Sequence, residues 1–190
     1  MNVLILGPQG AGKGTQAKRI AAEYGVPHIA SGDLYRAAIA SGSELGKQVE
    51  PLLASGQLVP DQITIPLIRE EIERTGDGFV LDGYPRTLAQ AEALDEMLED
   101  IGRPLSIVLL LQVDDAVARE RLLKRAEIEG RPDDTPEAIE RRLDSYHRQT
   151  EPVVEHYRTR GNLVQIHADR PVEDVWSEIT EALTAVEARA

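Results

Sequence analysis

A glycine-rich stretch near the start of the chain constrains the fold more than any other feature of this sequence. GPQGAGKGT at residues 7–15 directly follows the apolar run VLIL at residues 3–6. It precedes QAKRIAA at residues 16–22, whose composition favours a helix. A strand, a glycine-rich loop and a helix in this order are the context of a phosphate-binding loop. The sequence therefore predicts an α/β protein with a polyphosphate site after its first strand.

The residue types of this loop suit a polyphosphate ligand. Glycines lack a Cβ, so their backbone can adopt positive φ and gather N–H groups around one anion. The glycines of the loop are Gly7, Gly10, Gly12 and Gly14. The helix that begins near Lys13 adds the positive end of its dipole, and the Lys13 ammonium can bridge the outer phosphates of a nucleoside triphosphate. Because Gly14 stands where a magnesium-binding hydroxyl often follows the lysine, we assign Thr15 to Mg²⁺ or to the β-phosphate.

The composition of the chain narrows its partners and its compartment. Its 190 residues are the size of one domain, and its net charge of −12 comes from acidic residues spread along the chain, which would repel a nucleic-acid backbone. It contains no cysteine, which excludes disulfides and thiolate zinc sites and suits a reducing cytoplasm. The longest apolar run, residues 107–111, is far below the ~20 residues that span a bilayer. We therefore expect a cytoplasmic monomer without nucleic-acid or membrane partners.

Apolar strands alternate with helical stretches along the chain. Most predicted strands are runs of Val, Ile and Leu with little alternation, which is typical of strands covered on both faces. The predicted strands are residues 2–6, 27–30, 78–81, 106–113 and 162–167. The predicted helices are residues 13–24, 31–41, 61–74, 87–101, 114–126, 136–159 and 171–187. This order predicts a three-layer α/β fold of the P-loop NTPase type, in which a five-stranded parallel sheet has helices on both faces and binds ligands at its carboxyl edge.

Two stretches interrupt this alternation within what we expect to be a single domain over residues 1–190. Residues 30–59 contain helical turns and several glycines, which predicts a small helical flap. Residues 126–136 are predicted to form a short loop between two charged helices. We expect both segments to move during function.

A second stretch with ligand chemistry is GFVLDGYPRT at residues 78–87. Asp82 ends an apolar strand, where a carboxylate needs a cation or hydrogen-bond donors, so it could hold Mg²⁺ directly or through water. The alternative is that Asp82 caps the following turn. Arg86 leaves the same strand end on a turn stiffened by proline, and its planar guanidinium suits a phosphate.

Further arginines lie between residues 119 and 148. Arg121 and Arg125 are four positions apart on a predicted helix and repel each other, which indicates an anion outside the helix. Arg131 stands in the predicted short loop, and Arg142 stands on the helix after it. A solvated charged face is the alternative, because many acidic residues share this segment.

Taken together, these motifs resemble the adenylate kinases across essentially the whole chain. Besides the glycine-rich loop, the stretches that carry the resemblance are SGDLYR at 31–36, GQLVPD at 56–61, LDGYPRT at 81–87, RLLKR at 121–125, RPDD at 131–134 and TEPV at 150–153. The resemblance implies a kinase that passes the γ-phosphoryl group of Mg-ATP to AMP and yields ADP. It also implies a short lid at residues 126–136, a cis peptide bond between Tyr84 and Pro85, and no structural zinc.

The resemblance also implies roles for particular residues. The implied ATP contacts are Gly10, Gly12, Lys13, Gly14, Thr15, Arg121 and Arg170. The implied AMP contacts are Ser31, Gly32, Arg36, Val59, Gly83, Arg86 and Gln90. Within that set, Arg36 and Arg86 would hold the phosphate and Gln90 would read the adenine edge, although Gln90 by itself resembles a solvated helix residue. The residues implied in the transfer are Lys13, Arg86, Arg121, Arg125, Arg131 and Arg142.

This reaction asks little of the protein as an acid or base. The phosphate oxygens of AMP are already anionic near neutral pH, so the nucleophile needs no general base. The histidines are scattered and stand in no motif, so we interpret them as structural or exposed; they are His28, His147, His156 and His167. Magnesium, Lys13 and the arginines would then act by positioning and by electrostatics.

Two other functions remain open from the sequence alone. A pyrimidine nucleoside monophosphate kinase would share the loop, the Asp-Gly-x-Pro-Arg pattern and the arginines, but such enzymes tend to carry alanine where Ser31 stands and asparagine where Thr87 stands. A nucleotide-sensing module could reuse the fold without turnover. Such a module would have little reason to keep the remote arginines.

Overall fold

Five parallel strands form one sheet within the residues that this computed structural model describes, 1–130 and 134–188. In chain order they are β1 (Asn2–Leu6), β2 (His28–Ala30), β3 (Phe79–Asp82), β4 (Ile107–Gln112) and β5 (Leu163–His167). Their spatial order is β2-β3-β1-β4-β5, and each adjacent pair is parallel. β1 therefore lies at the centre of the sheet, and the predicted five-stranded parallel sheet is confirmed.

Helices connect the strands and cover the sheet. They are α1 (Lys13–Tyr24), α2 (Ser31–Ala40), α3 (Glu44–Ala54), α4 (Asp61–Arg74), α5 (Leu88–Asp100), α6 (Asp115–Glu129), α7 (Pro136–Ser145), α8 (Glu151–Thr159) and α9 (Val172–Glu187). Of the helices in the described ranges, none has the length and apolar character needed to cross a membrane.

The central strand is buried on both faces of the sheet. Pleating sends alternate side chains to opposite sides. Leu4 packs into a cluster with side chains of α4, α5 and α8, whereas Val3 and Ile5 pack into a second cluster with α1 and α9. The runs of Val, Ile and Leu lack alternation for this reason. The three-layer arrangement and the predicted fold class are confirmed.

Residues 30–59, called the flap below, contain two helices where the sequence predicted helical turns. α2 and α3 share a small apolar cluster around Tyr35, Val49 and Val59, and side chains of α4 pack against it. Gly46 permits their close approach, because a Cβ at this position would stand 2.2 Å from the Ala38 carbonyl oxygen. The flap therefore has its own packing, beside the two clusters of the sheet.

Two predicted helices differ from the observed ones by more than a single residue at an end. The helix predicted over residues 136–159 is interrupted by a π-helical turn at Tyr146–Thr150, between α7 and α8. Pro152 explains the interruption, because it has no N–H to donate and its ring crowds the carbonyl one turn earlier. α6 runs to Glu129, beyond its predicted end at residue 126, and is capped by Gly130 with a φ of +59°. The loop predicted over residues 126–136 is therefore shorter at its start.

Candidate active site

A cleft of about 950 Å³ opens at the carboxyl edge of the sheet. It is lined by the loop after β1, the end of β3, one face of α6, the segment after β5 and part of the flap. Parallel strands gather their carboxyl ends at one edge, which is where such folds bind ligands. The predicted ATP-contacting residues of the loop all line this cleft: Gly10, Gly12, Lys13, Gly14 and Thr15.

The phosphate loop requires glycine where its backbone adopts positive φ, at Gly7, Gly10 and Gly12. At Gly10 the φ is +85°, and a Cβ would stand 2.4 Å from the Ala118 carbonyl oxygen. Gly12 has a φ of +88° and forms the N-cap of α1. Gly14 differs from our expectation, because it lies inside the first turn of α1 and is not among the glycines with positive φ. The cradle for an anion is thus made before the helix begins, and α1 directs its N-terminus at it.

Lys13 lies over this loop. Its Nζ donates to the Pro8 carbonyl oxygen at 2.8 Å. Burial lowers the pKa of Lys13 to about 8; the Asp82 carboxylate opposes that shift, and the charges of Arg86 and Arg125 add to it. Lys13, Arg86 and Arg125 repel one another, and Asp82 offsets this repulsion only in part. An anion bound among them would relieve the repulsion, so the site is electrostatically suited to an anion.

Asp82 meets the requirements of a magnesium ligand. Its side chain is 13% exposed, and the nearest ring nitrogen, His28 Nε2, stands 3.7 Å from Oδ2. Burial raises the pKa of the Asp82 carboxyl, but His28 and the Lys13 ammonium lower it by more, so its pKa lies below the usual value. An ionised carboxylate and the exposed hydroxyl of Thr15 in the same cleft are hard oxygen donors, which Mg²⁺ prefers.

A larger cluster of metal-ligating side chains is not found in the part of the chain that the structure describes. No group of three or more His, Cys, Asp and Glu side chains there is arranged to hold a metal ion. The expected lack of structural zinc stays a prediction. His28, interpreted from the sequence as structural or exposed, lies beside Asp82 and lines the cleft.

The turn after β3 holds a second cationic group. Arg86 Nε donates to the Gly83 carbonyl oxygen at 2.7 Å, and burial lowers the pKa of Arg86. No described carboxylate forms an ion pair with Arg86, whereas Arg36 pairs with Asp33 at 2.6 Å. The Tyr84–Pro85 peptide bond is cis, as expected. The predicted AMP-contacting residues that line the cleft are Gly32, Arg36, Val59, Gly83, Arg86 and Gln90.

Ser31 is placed behind this surface. It is 1% exposed, and its hydroxyl donates to the Gly83 carbonyl oxygen at 2.8 Å. A Cβ at position 83 would stand 2.6 Å from the Ser31 Oγ, so glycine is needed for this approach. Ser31 therefore supports the turn that carries Arg86, rather than lining the cleft itself.

Gln90 lies at the end of the cleft bordered by the flap. It is 2% exposed, and its Nε2 donates to Asp61 Oδ1 at 2.7 Å. Nearby, the Thr64 hydroxyl donates to the Val59 carbonyl oxygen at 3.3 Å. Sequence reasoning missed Asp61 and Thr64 as parts of this site. The available signals were that Asp61 ends the GQLVPD stretch and opens a predicted helix with an acidic side chain, and neither indicated a contact with Gln90.

A buried carboxylate joins two of the predicted transfer residues. Asp134 is 3% exposed and accepts hydrogen bonds from Arg125 Nε at 2.7 Å and from Arg142 at 2.6 Å. The sequence indicated both arginines but gave no role to Asp134, the last residue of the RPDD stretch, which orients them. Arg121 instead donates to the Ala168 carbonyl oxygen at 2.7 Å. Arg121, Arg125 and Arg142 all line the cleft, whereas Arg131 lies outside the described residues.

The segment after β5 borders the phosphate loop. The Arg170 side chain contacts Glu178, and its Nε donates to the His167 carbonyl oxygen at 3.1 Å. Val172 lines the cleft and is 49% exposed, which leaves an apolar surface for a flat ring. Gln16 Nε2 donates to the Val172 carbonyl oxygen at 3.0 Å and so ties this segment to α1.

Known proteins resemble this chain over nearly its whole length. The adenylate kinase family model matches residues 5–162. An adenylate kinase of Caulobacter vibrioides is 48% identical over 191 aligned residues, which cover 99% of this chain and 100% of the relative. Adenylate kinases of Thermobifida fusca and Synechococcus are each 45% identical, over 100% and 95% of this chain and 100% and 97% of the relatives. The similarity thus spans the phosphate loop, the flap and the helices that carry the arginines.

Proposed function

Because this chain belongs to the adenylate kinase family, whose known reaction is phosphoryl transfer among adenine nucleotides, we propose that it passes the γ-phosphoryl group of Mg-ATP to AMP and yields two ADP, reversibly and by direct in-line transfer. The observation that carries this proposal is the shared cleft. The phosphate loop, the Arg86 turn and the cationic side chains of α6 and α7 all line it. Two anionic nucleotides that enter this cleft would meet positive charge along its length.

ATP is proposed to bind at the phosphate loop. The loop N–H groups and Lys13 would hold its outer phosphates, and the lowered pKa of Lys13 supports this role because an anion would restore the charge. The backbone at residues 170–172 would face the adenine. The residues proposed to bind ATP are Gly10, Gly12, Lys13, Gly14, Thr15, Arg121 and Arg170.

Magnesium is proposed to enter with ATP. Asp82 and Thr15 would hold it, directly or through water. When bound, it would neutralise charge on the phosphate oxygens. The ionised state of Asp82, which His28 and Lys13 favour, supports this assignment.

AMP is proposed to bind between the Arg86 turn and the flap. Arg36 and Arg86 would hold its phosphate, while Gln90 and the Val59 backbone would contact the adenine. Arg86 supports this best, because burial lowers its pKa and no described carboxylate forms an ion pair with its guanidinium. Further residues proposed for the AMP site are Ser31, Gly32 and Gly83.

The transfer itself is proposed to rest on positioning and charge. An AMP phosphate oxygen is already anionic, so no side chain has to remove a proton. Lys13, Arg86, Arg121, Arg125 and Arg142 would align the two phosphates and stabilise the charge that shifts between them. Arg131 is proposed to join them on the basis of its motif.

Closure of two segments is proposed to assemble this site only when both nucleotides are bound. The segments are the flap and the short lid at residues 126–136. Early assembly would accelerate transfer to water, so closure protects the phosphoryl group. We further propose that the protein acts as a cytoplasmic monomer.

The experiment that tests this function is an acceptor panel with Mg-ATP. AMP, CMP, UMP and GMP are compared by the rate at which ADP forms, with kcat/KM as the readout. We expect AMP to be the best acceptor. A higher kcat/KM for CMP or UMP would indicate a pyrimidine nucleotide kinase. Binding of ATP and AMP without ADP formation would indicate a nucleotide sensor.

A further inference from the structure

The carboxamide of Gln90 is held at both ends. Its Oε1 accepts a hydrogen bond from the backbone N–H of Arg86 at 2.7 Å, and its Nε2 donates one to Asp61 Oδ1 at 2.7 Å. The residue is 2% exposed, so water has little access to replace either partner. The backbone is fixed as well, because the Tyr84 hydroxyl donates to the Gln90 carbonyl oxygen at 3.0 Å.

Only one orientation of this amide satisfies both neighbours. A backbone N–H can only donate, and an ionised carboxylate can only accept. If the amide exchanged its two ends, Nε2 would face the N–H of Arg86 and Oε1 would face the carboxylate of Asp61. Two buried polar pairs would then be mismatched, which is strongly unfavourable.

After its hydrogen bonds to Arg86 and Asp61, the Gln90 carboxamide can still form one hydrogen bond to a ligand as a donor and one as an acceptor. Nε2 retains one N–H, and Oε1 retains one lone pair. A 6-aminopurine offers the complement, an amino N–H beside the ring-nitrogen acceptor N1. A 6-oxopurine presents the reverse, a carbonyl oxygen beside an N1–H donor, and would need the amide turned round.

We propose that Asp61 is a positioning residue that makes the acceptor site selective for 6-aminopurine over 6-oxopurine nucleoside monophosphates, because it holds the Gln90 carboxamide in the orientation that fits only the former. The inference rests on the proposed function, in which Gln90 contacts the base of the acceptor. Asp61 acts through Gln90, so its contribution is to selectivity and not to the transfer step.

Asp61 also has a structural place, and the test must separate the two effects. It opens α4, where an acidic side chain interacts favourably with the helix N-terminus. A loss of stability would lower turnover of every acceptor alike. A loss of orientation would instead change the ratio between two acceptors that differ only in the edge of the base.

The experiment compares AMP and IMP as acceptors for the wild type and Asp61→Asn at saturating Mg-ATP. IMP reverses the hydrogen-bonding edge of AMP and adds no group elsewhere. Asparagine keeps the shape of Asp61 but offers Gln90 both a donor and an acceptor, so either amide orientation gains a partner. The Arg86 N–H still favours the original orientation, but the cost of turning the amide for IMP is reduced. We therefore expect the AMP:IMP ratio of kcat/KM to fall at least ~10-fold, chiefly through a gain for IMP, while kcat for AMP changes less than ~2-fold.

Two further variants make the outcome decisive. Glu44→Gln is the matched control, because Glu44 is likewise an acidic residue in the first turn of a helix, α3, and does not line the cleft. The AMP:IMP ratio of this variant should equal that of the wild type. Gln90→Ala should abolish most of the preference. An unchanged ratio in Asp61→Asn alongside a collapsed ratio in Gln90→Ala would overturn the role of Asp61 and leave base contact by Gln90 standing. No AMP turnover by the wild type would instead remove the proposed function.

Discussion

Lys13 and Arg86 are cations held where burial works against their charge. Burial lowers the pKa of both residues, and the positive charge of nearby arginines lowers each pKa further. Asp82 opposes this at both residues. A polyphosphate would supply the missing negative charge, so the same arrangement that disfavours protonation in the empty cleft favours nucleotide binding.

The pKa of Lys13 predicts a pH dependence for ATP. In the ligand-free protein Lys13 has a pKa of about 8, below its usual 10.5, so it loses its charge as pH rises through 8. Bound phosphates raise that pKa, and the complex keeps the charge to higher pH. We expect kcat/KM for ATP to fall about tenfold per pH unit above this value, while kcat stays level there. The measurement is a pH profile of both constants from pH 6 to about 10.

Lys13→Arg is the control for this profile. A guanidinium stays protonated over the whole range. The variant is expected to be slower throughout but to lose the decline that begins near pH 8. A profile of Lys13→Arg with the same decline as the wild type would assign the titration to another group.

Arg86→Ala tests the proposed phosphate contact of AMP. The guanidinium is preoriented by its bond to the Gly83 carbonyl oxygen and can form charge-assisted hydrogen bonds to a phosphate. We expect kcat/KM for AMP to fall at least ~100-fold, equivalent to ~2.7 kcal/mol, with the KM for ATP nearly unchanged. Arg74→Ala is the control, because Arg74 is an exposed arginine paired with Glu70 and Glu71 on α4. A loss below tenfold in Arg86→Ala would contradict the assignment.

At this scale the sequence predicts residues that belong to local motifs and misses residues defined by distant partners. Lys13, Asp82 and Arg86 stand at fixed positions after apolar strands, so composition and order indicate their chemistry. Asp61 acquires its place only because Gln90, 29 positions later, folds against it. Asp134 likewise becomes a link between two helices through packing. Both residues end stretches that carry the family resemblance, GQLVPD and RPDD, but nothing in either stretch indicates which distant side chain the carboxylate would meet.

Among the elements, the π-helical turn between α7 and α8 has a tertiary consequence. It carries Thr150, whose hydroxyl donates to the Arg86 carbonyl oxygen at 2.9 Å. The turn thus braces the segment that presents Arg86. The prediction of one uninterrupted helix over residues 136–159 was wrong. Most residues of this stretch favour a helix, but Pro152 disrupts its hydrogen bonding. By contrast, the strands were predicted to within about two residues, since their long apolar runs are fixed by burial on both faces.

The flap and α7 meet at Gly56, which gives an element-scale prediction. Gly56 has a φ of +73°, and a Cβ there would stand 2.7 Å from the Ala138 carbonyl oxygen. Gly42 has a similar φ of +65° but has nothing within 4 Å of a Cβ. Alanine at either position should destabilise the fold by about 1–2 kcal/mol through the left-handed backbone alone. Only Gly56→Ala also pushes the flap away from α7.

Kinetics of the two variants separate these effects. We expect similar losses of Tm in both, whereas the KM for AMP rises only in Gly56→Ala. A contact that costs about 1.4 kcal/mol in the closed arrangement raises the apparent Kd for AMP by up to about tenfold. Equal KM values for AMP in the two variants would mean that contact between the flap and α7 does not contribute to AMP binding.

The whole molecule combines an acidic surface with a cationic cleft. Its net charge is −12, yet the cleft is lined by Lys13, Arg86, Arg121 and Arg125 among other cations. Screening limits the reach of the acidic surface to about 8–10 Å at physiological salt, so charges inside the cleft dominate what a bound nucleotide experiences. The net negative charge follows from composition alone. The positive charge of the cleft could not be predicted in the same way, because it depends on how the fold brings the arginines together.

Nucleotide binding is expected to close the flap onto α7. Hydrogen bonds join α7 to the flap, among them those from Arg141 to the Ser55 carbonyl oxygen at 3.2 Å and from Arg142 to the Leu53 carbonyl oxygen at 3.3 Å. Hydrogen bonds of this kind contribute only about 0.5–1.5 kcal/mol each, so without nucleotides we expect open and closed arrangements to coexist. A bisubstrate mimic that spans both nucleotide sites should shift the population to the closed arrangement.

Fluorescence energy transfer measures this directly, because the chain has no cysteine and introduced thiols alone carry the dyes. Labels at Ser41→Cys on the flap and Glu127→Cys at the end of α6 should move closer and show a narrower distance distribution with the mimic than with ATP or AMP alone. A pair at Thr159→Cys and Ser177→Cys, both outside the moving segments, should stay at a constant distance. If the first pair kept one distance in the ligand-free and mimic-bound protein, closure would have to be abandoned, and the arginines would be assembled before either nucleotide arrives.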